Sequence, residues 1–292
     1  AALVTASGMA AISTALLSVL KAGDHLLAQD CLYGGTYDFV TKDLGGFGIS
    51  YDFIDADDPA SWQAKLRPNT KAIYVESLTN PLLQVCDLPA VVRFAKEHGL
   101  VSLIDNTFAG PVNFRPCEHG FDLSLHSATK SLNGHSDIVA GAIAGRADLL
   151  DKCAKLASHL GGSLDPHAAF LLHRGIKTLA LRMRFQNDST LKIAQFMAQH
   201  PAVAQVNYPG LESHPQHARA RQLFAGCGGV FSFELKDGLE AAKRFVEKVT
   251  LPIVAPSLGG VETLVTRPVL TSHAGMTPEE RAKAGVSDGL VR

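Results

Sequence analysis

Short apolar runs alternate with helical patterns along the first half of the chain, and this alternation restricts the fold more than any other feature. Apolar spacing over residues 9–20 predicts a helix, opened by Ser7-Gly8 and capped by Gly23, and residues 88–98 predict a second helix. Strands are predicted over residues 25–28, 71–76, 100–104, 121–126 and 138–143. Strands that alternate with helices indicate an α/β fold with a mostly parallel sheet.

The second half of the chain has a different pattern, which indicates a second domain. Asp165-Pro166 is typical of a helix start, and a long helix is predicted from there to about His200. The shorter elements that follow are a strand over 230–235, a helix over 239–249 and a strand over 253–254. Because 292 residues leave room for two average domains, we expect a large domain over 1–188 and a smaller C-terminal α/β domain over 189–292.

The composition argues against several classes of partner. The 27 Lys and Arg nearly balance the 28 Asp and Glu, whereas a nucleic-acid-binding protein usually has a basic excess. No apolar run approaches the roughly 20 residues of a membrane span. The five cysteines form no C-x-x-C pair, so we expect no metal site, no disulfide framework and a cytoplasmic protein. Residues 1–20 lack the cationic stretch of a signal peptide, and the first methionine is Met9, so we expect the chain to start inside a longer gene product.

Polar side chains follow the predicted strands at the points where the strands end. These residues are Asn80, Asp105, Ser127, Thr129 and Lys130. Because ligands bind beyond the carboxyl ends of parallel strands, we expect the five side chains to converge on one site. Two common nucleotide motifs are missing from the sequence: no G-x-G-x-x-G follows a predicted strand, and no G-K-[ST] phosphate loop occurs.

Lys130 gains significance from its neighbours, since a lone lysine at a strand end is usually only a solvated side chain. Pyridoxal phosphate needs a lysine for its aldehyde and a carboxylate for its pyridinium nitrogen, which Lys130 and Asp105 can supply. Its phosphate needs hydroxyls and free N–H groups, which the residues beside Lys130 and the helix start at 7–9 can supply. Tyr33, on a glycine-rich loop, offers a ring for stacking. Together these parts predict a pyridoxal-phosphate site.

Several motifs carry a resemblance to a known family. They are residues 7–9 (SGM), 32–35 (LYGG), 105–107 (DNT), 127–137 (SATKSLNGHSD) and 257–263 (SLGGVET). They resemble the Cys/Met-metabolism (trans-sulfuration) family of pyridoxal-phosphate enzymes, which includes cystathionine γ-synthase, cystathionine γ- and β-lyases and methionine γ-lyase. The resemblance covers essentially the whole chain. It implies the fold-type I, aspartate-aminotransferase-like architecture and a homo-oligomer, usually a tetramer of active dimers.

The resemblance also implies a role for each matching residue. Lys130 would bind the cofactor covalently and act as the base, Asp105 would pair with the pyridinium nitrogen, and Tyr33 would stack on the ring. The other cofactor contacts would come from Ser7, Gly8, Met9, Thr107, Ser127 and Thr129. The amino-acid substrate would be bound by Asn80, Ser257 and Arg292.

Two positions bear on which family member the chain resembles. Gly35 stands where methionine γ-lyases carry cysteine, and Pro256 stands where many bacterial synthases and cystathionine γ-lyases carry glutamate. We rank cystathionine γ-synthase first, which replaces the γ-substituent of activated homoserine with cysteine. The alternatives are γ-elimination by a cystathionine or methionine γ-lyase, and a non-catalytic truncated remnant. The remnant is considered because the family's N-terminal arm and C-terminal elements have no counterpart in the chain.

Overall fold

The computed structural model describes residues 1–292, apart from the side chain of residue 283. The strands are β1 (Ala2–Thr5), β2 (His25–Gln29), β3 (Ser50–Ile54), β4 (Thr70–Glu76), β5 (Val101–Asp105), β6 (Leu123–Ser127), β7 (Gly141–Gly145), β8 (Val203–Asn207), β9 (Ser232–Leu235), β10 (Ile253–Val254), β11 (Leu264–Val265) and β12 (Leu290–Val291). The helices are α1 (Gly8–Val19), α2 (Gly34–Asp38), α3 (Pro59–Lys65), α4 (Leu88–Glu97), α5 (Gly110–Asn113), α6 (Ala147–Leu160), α7 (Pro166–Ile176), α8 (Leu179–Gln199), α9 (His217–Leu223), α10 (Gly238–Lys248) and α11 (Pro278–Lys283).

A seven-stranded sheet forms the centre of the molecule, in the order β1-β7-β6-β5-β4-β2-β3. β2 pairs in parallel with β3 and β4, β4 with β5, and β5 with β6, whereas β7 runs antiparallel to β6 and β1. The prediction of a mostly parallel sheet is confirmed. Since β4, β5 and β6 are parallel neighbours, their carboxyl ends lie along one edge of the sheet, where open α/β sheets bind ligands.

Apolar residues cover both faces of the central sheet. Successive residues of β4 alternate between the two sides: Ile73 and Val75 belong to the apolar cluster that includes Phe94 of α4. Tyr74 belongs to the opposite cluster, which includes Leu16 of α1. Burial on both faces explains why the central strands read as continuous apolar runs in the sequence.

A smaller group of elements follows α8. β12, β9 and β8 form an antiparallel sheet, and β10 pairs in parallel with β11. A separate apolar cluster joins Phe233 of β9, Ala242 of α10 and Val291 of β12. The predicted domain boundary at residue 188 falls inside α8, which is continuous there. The division of the chain at that residue stays a prediction.

Several predicted boundaries differ from the structure by one to three residues, among them those of α1 and β7. The C-cap of α1 is Leu20, and Gly23, with φ 91°, lies in the turn that follows. β7 begins at Gly141, later than predicted, because Ala140 is bonded to Thr129. The Ala140 N–H donates to the Thr129 hydroxyl at 3.0 Å, and the Ala140 carbonyl accepts from the Thr129 N–H at 3.1 Å.

The long helix predicted to begin at Asp165 is interrupted and forms α7 and α8. Gly175, near the end of α7, lies so close to the turn after β6 that a Cβ there would be 2.3 Å from the Asn133 carbonyl oxygen. The Gly175 carbonyl accepts a hydrogen bond from the Arg182 guanidinium at 2.8 Å. We attribute the interruption to these contacts, which fix the backbone of residue 175 against the turn after β6.

Three further findings concern membranes, cysteines and metals. Within residues 1–292, none of the helices described is long and apolar enough to cross a membrane. All five cysteines are free thiols. In the part of the chain whose side chains are described, no group of three or more His, Cys, Asp and Glu is placed to hold a metal ion.

Candidate active site

A cavity of about 680 Å³ lies at the carboxyl ends of β4, β5 and β6. The register of the sheet explains its position, because the last residues of β4 and β5, Glu76 and Asp105, are paired. The structure brings every predicted site residue to the wall of this cavity: Ser7, Gly8, Met9, Tyr33, Asn80, Asp105, Thr107, Ser127, Thr129, Lys130, Ser257 and Arg292. The expected convergence of polar residues on one site is therefore observed.

Lys130 lies in the turn that follows β6. Its ammonium nitrogen Nζ donates a hydrogen bond to Ser257 Oγ at 2.7 Å. Burial, and secondly the positive charge of Arg292, lower the pKa of Lys130. Both influences favour the neutral amine, which is the form that attacks an aldehyde or accepts a proton.

Arg292 joins the two parts of the cavity wall that come from distant segments of the chain. Its guanidinium donates to Asn80 Oδ1 at 2.9 Å and to the Ser257 carbonyl at 3.0 Å. Burial lowers the pKa of Arg292 to about 10, so the side chain stays cationic at neutral pH. Ser257, whose carbonyl accepts this hydrogen bond, has φ 91°, in the left-handed region that a serine rarely adopts.

Asp105 presents a half-buried carboxylate at the end of β5. Its Oδ1 accepts a hydrogen bond from the Thr107 N–H at 2.8 Å. Burial raises the pKa of Asp105, and the hydrogen bonds from Thr107 oppose that rise. The Thr107 hydroxyl oxygen in turn accepts from the Ser127 N–H at 2.8 Å. Thr107 therefore fixes Asp105 relative to the end of β6.

The N-terminus of α1 points free N–H groups at the same cavity. Ser7 is the N-cap, and its hydroxyl accepts from the Ala10 N–H at 3.0 Å. Gly8 and Met9 occupy the first turn, whose N–H groups have no partner within a helix. A Cβ at Gly8 would lie 2.8 Å from the Ser127 Cβ, so only glycine lets the helix approach this closely. The result is a narrow, electropositive cradle suited to a phosphate.

Tyr33 lies at the mouth of the cavity, on the loop between β2 and α2. Its ring is 45% exposed. Its backbone N–H donates to Glu76 Oε1 at 2.6 Å. A Cβ at Gly35 would lie 2.7 Å from Tyr33 Cε1 and 3.1 Å from Met9 Sδ, so a larger residue at position 35 would displace the ring.

Sequence reasoning missed part of the wall. The residues concerned are Ile12, Glu76, Leu78, Phe108, Val139, Pro256, Leu258, Leu270, Thr271 and Ser272. Glu76 had a usable signal, because it ends a predicted strand as Asp105 does. Leu270, Thr271 and Ser272 come from a segment whose sequence has no periodic pattern, and only the tertiary structure brings them to the cavity.

The family of the chain follows from comparison with known proteins. The family model described as Cys/Met metabolism PLP-dependent enzyme matches residues 1–292. The chain belongs to this family. Over 287 residues it is 45% identical to the cystathionine beta-lyase MetC of Bacillus subtilis (strain 168), a match that covers 98% of this chain and 73% of that protein.

Two solved structures share the fold. One is a cystathionine gamma synthase from Xanthomonas oryzae pv. oryzae in complex with aminoacrylate and cysteine, with a TM-score of 0.96, 40% identity, and coverage of 99% of this chain and 75% of that one. The other is a cystathionine gamma-lyase from Lactobacillus plantarum complexed with L-serine, with a TM-score of 0.96, 38% identity, and coverage of 99% and 76%. The predicted family, the fold-type I architecture and the dependence on pyridoxal phosphate are confirmed.

The residues present fit pyridoxal phosphate. Gly8 leaves open a cradle at a helix N-terminus that a Cβ would close. Asp105 provides a half-buried carboxylate in the same cavity, and Lys130 provides an amine whose pKa is lowered. These are the groups that the phosphate, the ring nitrogen and the aldehyde of the cofactor require.

Proposed function

We propose that the protein acts on an α-amino acid as a cystathionine γ-synthase. One observation carries the amino-acid part of this proposal: Ser257 accepts a hydrogen bond from Lys130 at its hydroxyl and from Arg292 at its carbonyl. A base and a carboxylate-binding guanidinium are thus held on one residue. An α-amino acid presents the matching pair, a Cα proton next to a carboxylate.

Each polar residue predicted from the sequence has a proposed role in this reaction. When bound, pyridoxal phosphate supplies a ring that accepts the negative charge developing at the substrate Cα. Asp105 would hold a proton at the ring nitrogen. Lys130 would remove the Cα proton and then a Cβ proton so that the γ-substituent can leave as a carboxylate, and would return protons to these two carbons after the cysteine thiolate has bonded to Cγ. Arg292 binds the substrate carboxylate with its two-pronged guanidinium, together with Asn80.

The remaining proposed contacts orient the Lys130 amine and hold the cofactor. Ser257 directs the Lys130 amine, since it accepts that amine's hydrogen bond at 2.7 Å. Tyr33 stacks on the ring of the cofactor. The other proposed contacts with the cofactor, including those with its phosphate, come from Ser7, Gly8, Met9, Thr107, Ser127 and Thr129. In this structure the Thr129 hydroxyl donates to the Ala140 carbonyl at 3.2 Å, and it would turn that proton to the phosphate when the cofactor is bound.

One observation supports γ-synthesis over the activity of methionine γ-lyases. The crowding around Gly35 disfavours the cysteine of methionine γ-lyases, because a Cβ there would meet the Tyr33 ring at 2.7 Å. The cystathionine gamma synthase of Xanthomonas oryzae pv. oryzae has the same fold at a TM-score of 0.96. Cystathionine γ-lyase is the second candidate, supported by the equal TM-score of the Lactobacillus plantarum enzyme.

Product analysis separates these candidates. The protein loaded with pyridoxal phosphate is incubated with cysteine and an activated homoserine ester, and separately with cystathionine alone. A γ-synthase forms cystathionine in the first mixture, and a γ-lyase releases 2-oxobutyrate in the second. Pyruvate in the second mixture would identify β-elimination, the activity in the name of the Bacillus subtilis relative.

The matched control is Lys130→Ala, which should form none of these products. A chain that binds no pyridoxal phosphate and stays colourless would contradict the proposal and support the non-catalytic remnant. We also propose that the protein forms a homo-oligomer and resides in the cytoplasm, where its free cysteines would remain reduced.

A further inference from the structure

Glu76 is a buried acid in the cavity wall that none of the roles above uses. It is the last residue of β4 and only 5% exposed. It is paired in register with Asp105 on the neighbouring strand. A buried acid costs free energy unless its polar atoms are bonded, so its contacts indicate what it does.

We propose that Glu76 is a positioning residue, which accepts a hydrogen bond from the Tyr33 backbone N–H and thereby holds the Tyr33 ring over the cofactor. The inference rests on the proposed function, in which Tyr33 stacks on pyridoxal phosphate. The contact itself is short and well placed, with 2.6 Å between the Tyr33 nitrogen and Glu76 Oε1.

Glu76 is the fixed end of this contact. Its own N–H donates to Gln29 Oε1 at 2.9 Å, which ties it to β2, and its carbonyl accepts from Cys86 Sγ at 3.3 Å. Both contacts are buried. The carboxyl group therefore projects from the rigid centre of the sheet.

Tyr33 is the movable end. It precedes α2, has no side-chain hydrogen bond to cap that helix, and leaves its ring 45% exposed. The next two residues, Gly34 and Gly35, have no side chains with which to anchor the loop. The backbone hydrogen bond to Glu76 therefore replaces the anchorage that side chains would provide.

The pKa of Glu76 is also compatible with its role as the acceptor of the Tyr33 N–H. Burial, and secondly Asp105, raise the pKa of Glu76 well above its usual range. The hydrogen bond from the Tyr33 N–H opposes this rise. A carboxyl group has an acceptor oxygen in either protonation state, so Glu76 can accept the Tyr33 N–H whether it is neutral or ionised.

The first arm of the test uses cofactor-free protein. Hydrogen exchange is followed at the amides of residues 31–38 in the wild type, Glu76→Gln and Glu76→Leu. The glutamine retains the acceptor oxygen, whereas the leucine keeps much of the volume and removes the acceptor. We expect exchange at Tyr33 to be roughly tenfold faster in the leucine variant and unchanged in the glutamine variant, since tenfold corresponds to about 1.4 kcal/mol, the size of one hydrogen bond. Glu76→Met serves the same purpose if the leucine variant does not fold.

The second arm measures the affinity for pyridoxal phosphate by absorbance titration. We expect Glu76→Leu to raise the dissociation constant about tenfold and Glu76→Gln to leave it within about twofold, for the same lost hydrogen bond. In a Tyr33→Ala background, Glu76→Leu should change the dissociation constant for pyridoxal phosphate by less than about twofold. The reason is that a positioning residue acts through the group that it positions.

Equal hydrogen exchange at Tyr33 in the wild type and in Glu76→Leu would overturn the inference. So would an equal loss of affinity for pyridoxal phosphate in Glu76→Gln and Glu76→Leu. A tenfold loss of affinity caused by Glu76→Leu in the Tyr33→Ala background would also overturn it. These results leave the proposed function standing. Failure of the wild type to bind pyridoxal phosphate would overturn the proposed function and this inference together, and the exchange arm needs no cofactor.

Discussion

At the scale of single residues, the environment of Lys130 controls when its amine can react. Burial and the charge of Arg292 both lower the pKa of Lys130, in that order. Replacing Arg292 with leucine removes the cation, so protonated Lys130 becomes easier to form and its pKa rises. The neutral amine is then reached only at higher pH.

We therefore predict that Arg292→Leu shifts the pH dependence of cofactor capture upwards. The rate of pyridoxal-phosphate capture by cofactor-free protein, followed by its absorbance, should reach half its maximum at a higher pH than in the wild type. Arg115→Leu, at an exposed position, is the control and should leave the profile in place. A profile that does not move, or that moves to lower pH, would show that Arg292 does not influence Lys130.

The sequence predicted most of the cavity at this scale because its residues lie at strand ends. Asp105 and Lys130 could be placed since each follows an apolar run that reads as a buried strand. The sequence marks Glu76 as the end of a predicted strand, but its burial and its contact with the Tyr33 N–H are visible only in the structure. Leu270 and Ser272 were missed because the chain reaches the cavity there through a segment without regular periodicity.

At the scale of secondary structure, prediction succeeded where one pattern dominated. Buried parallel strands such as β4 and β5 are continuous apolar runs, and α4 has a clear apolar face. β3 was missed because it is an edge strand whose residues are mostly half-buried, so polar residues interrupt its apolar ones. The break between α7 and α8 could not be predicted, since it depends on the contact of Gly175 with Asn133 across the molecule.

At the scale of the whole molecule, an exposed apolar face favours self-association. Leu181 and Phe185 are 70% and 74% exposed and lie one helical turn apart on α8, and Phe170 of α7 is 62% exposed. Large apolar side chains grouped on a surface are typical of interfaces between proteins. A second copy of the chain is the occupant that the family resemblance implies.

We predict that the protein is a dimer or larger in solution and that charges on this face dissociate it. Light scattering should give at least twice the mass of one chain for the wild type and the mass of one chain for the Leu181→Glu, Phe185→Glu double variant. Lys152→Glu, an exposed change on α6, should leave the mass unchanged. A monomeric wild type, or a double variant with the same mass as the wild type, would contradict this assignment.

The central claim is that Lys130 is the residue that binds pyridoxal phosphate covalently. The most direct measurement is borohydride reduction of the loaded protein, followed by digestion and mass spectrometry to locate the added cofactor. The account predicts that the cofactor mass is found on Lys130 and that Lys130→Ala carries none. Labelling of another lysine in the wild type, or equal labelling of the Lys130→Ala variant, would contradict it.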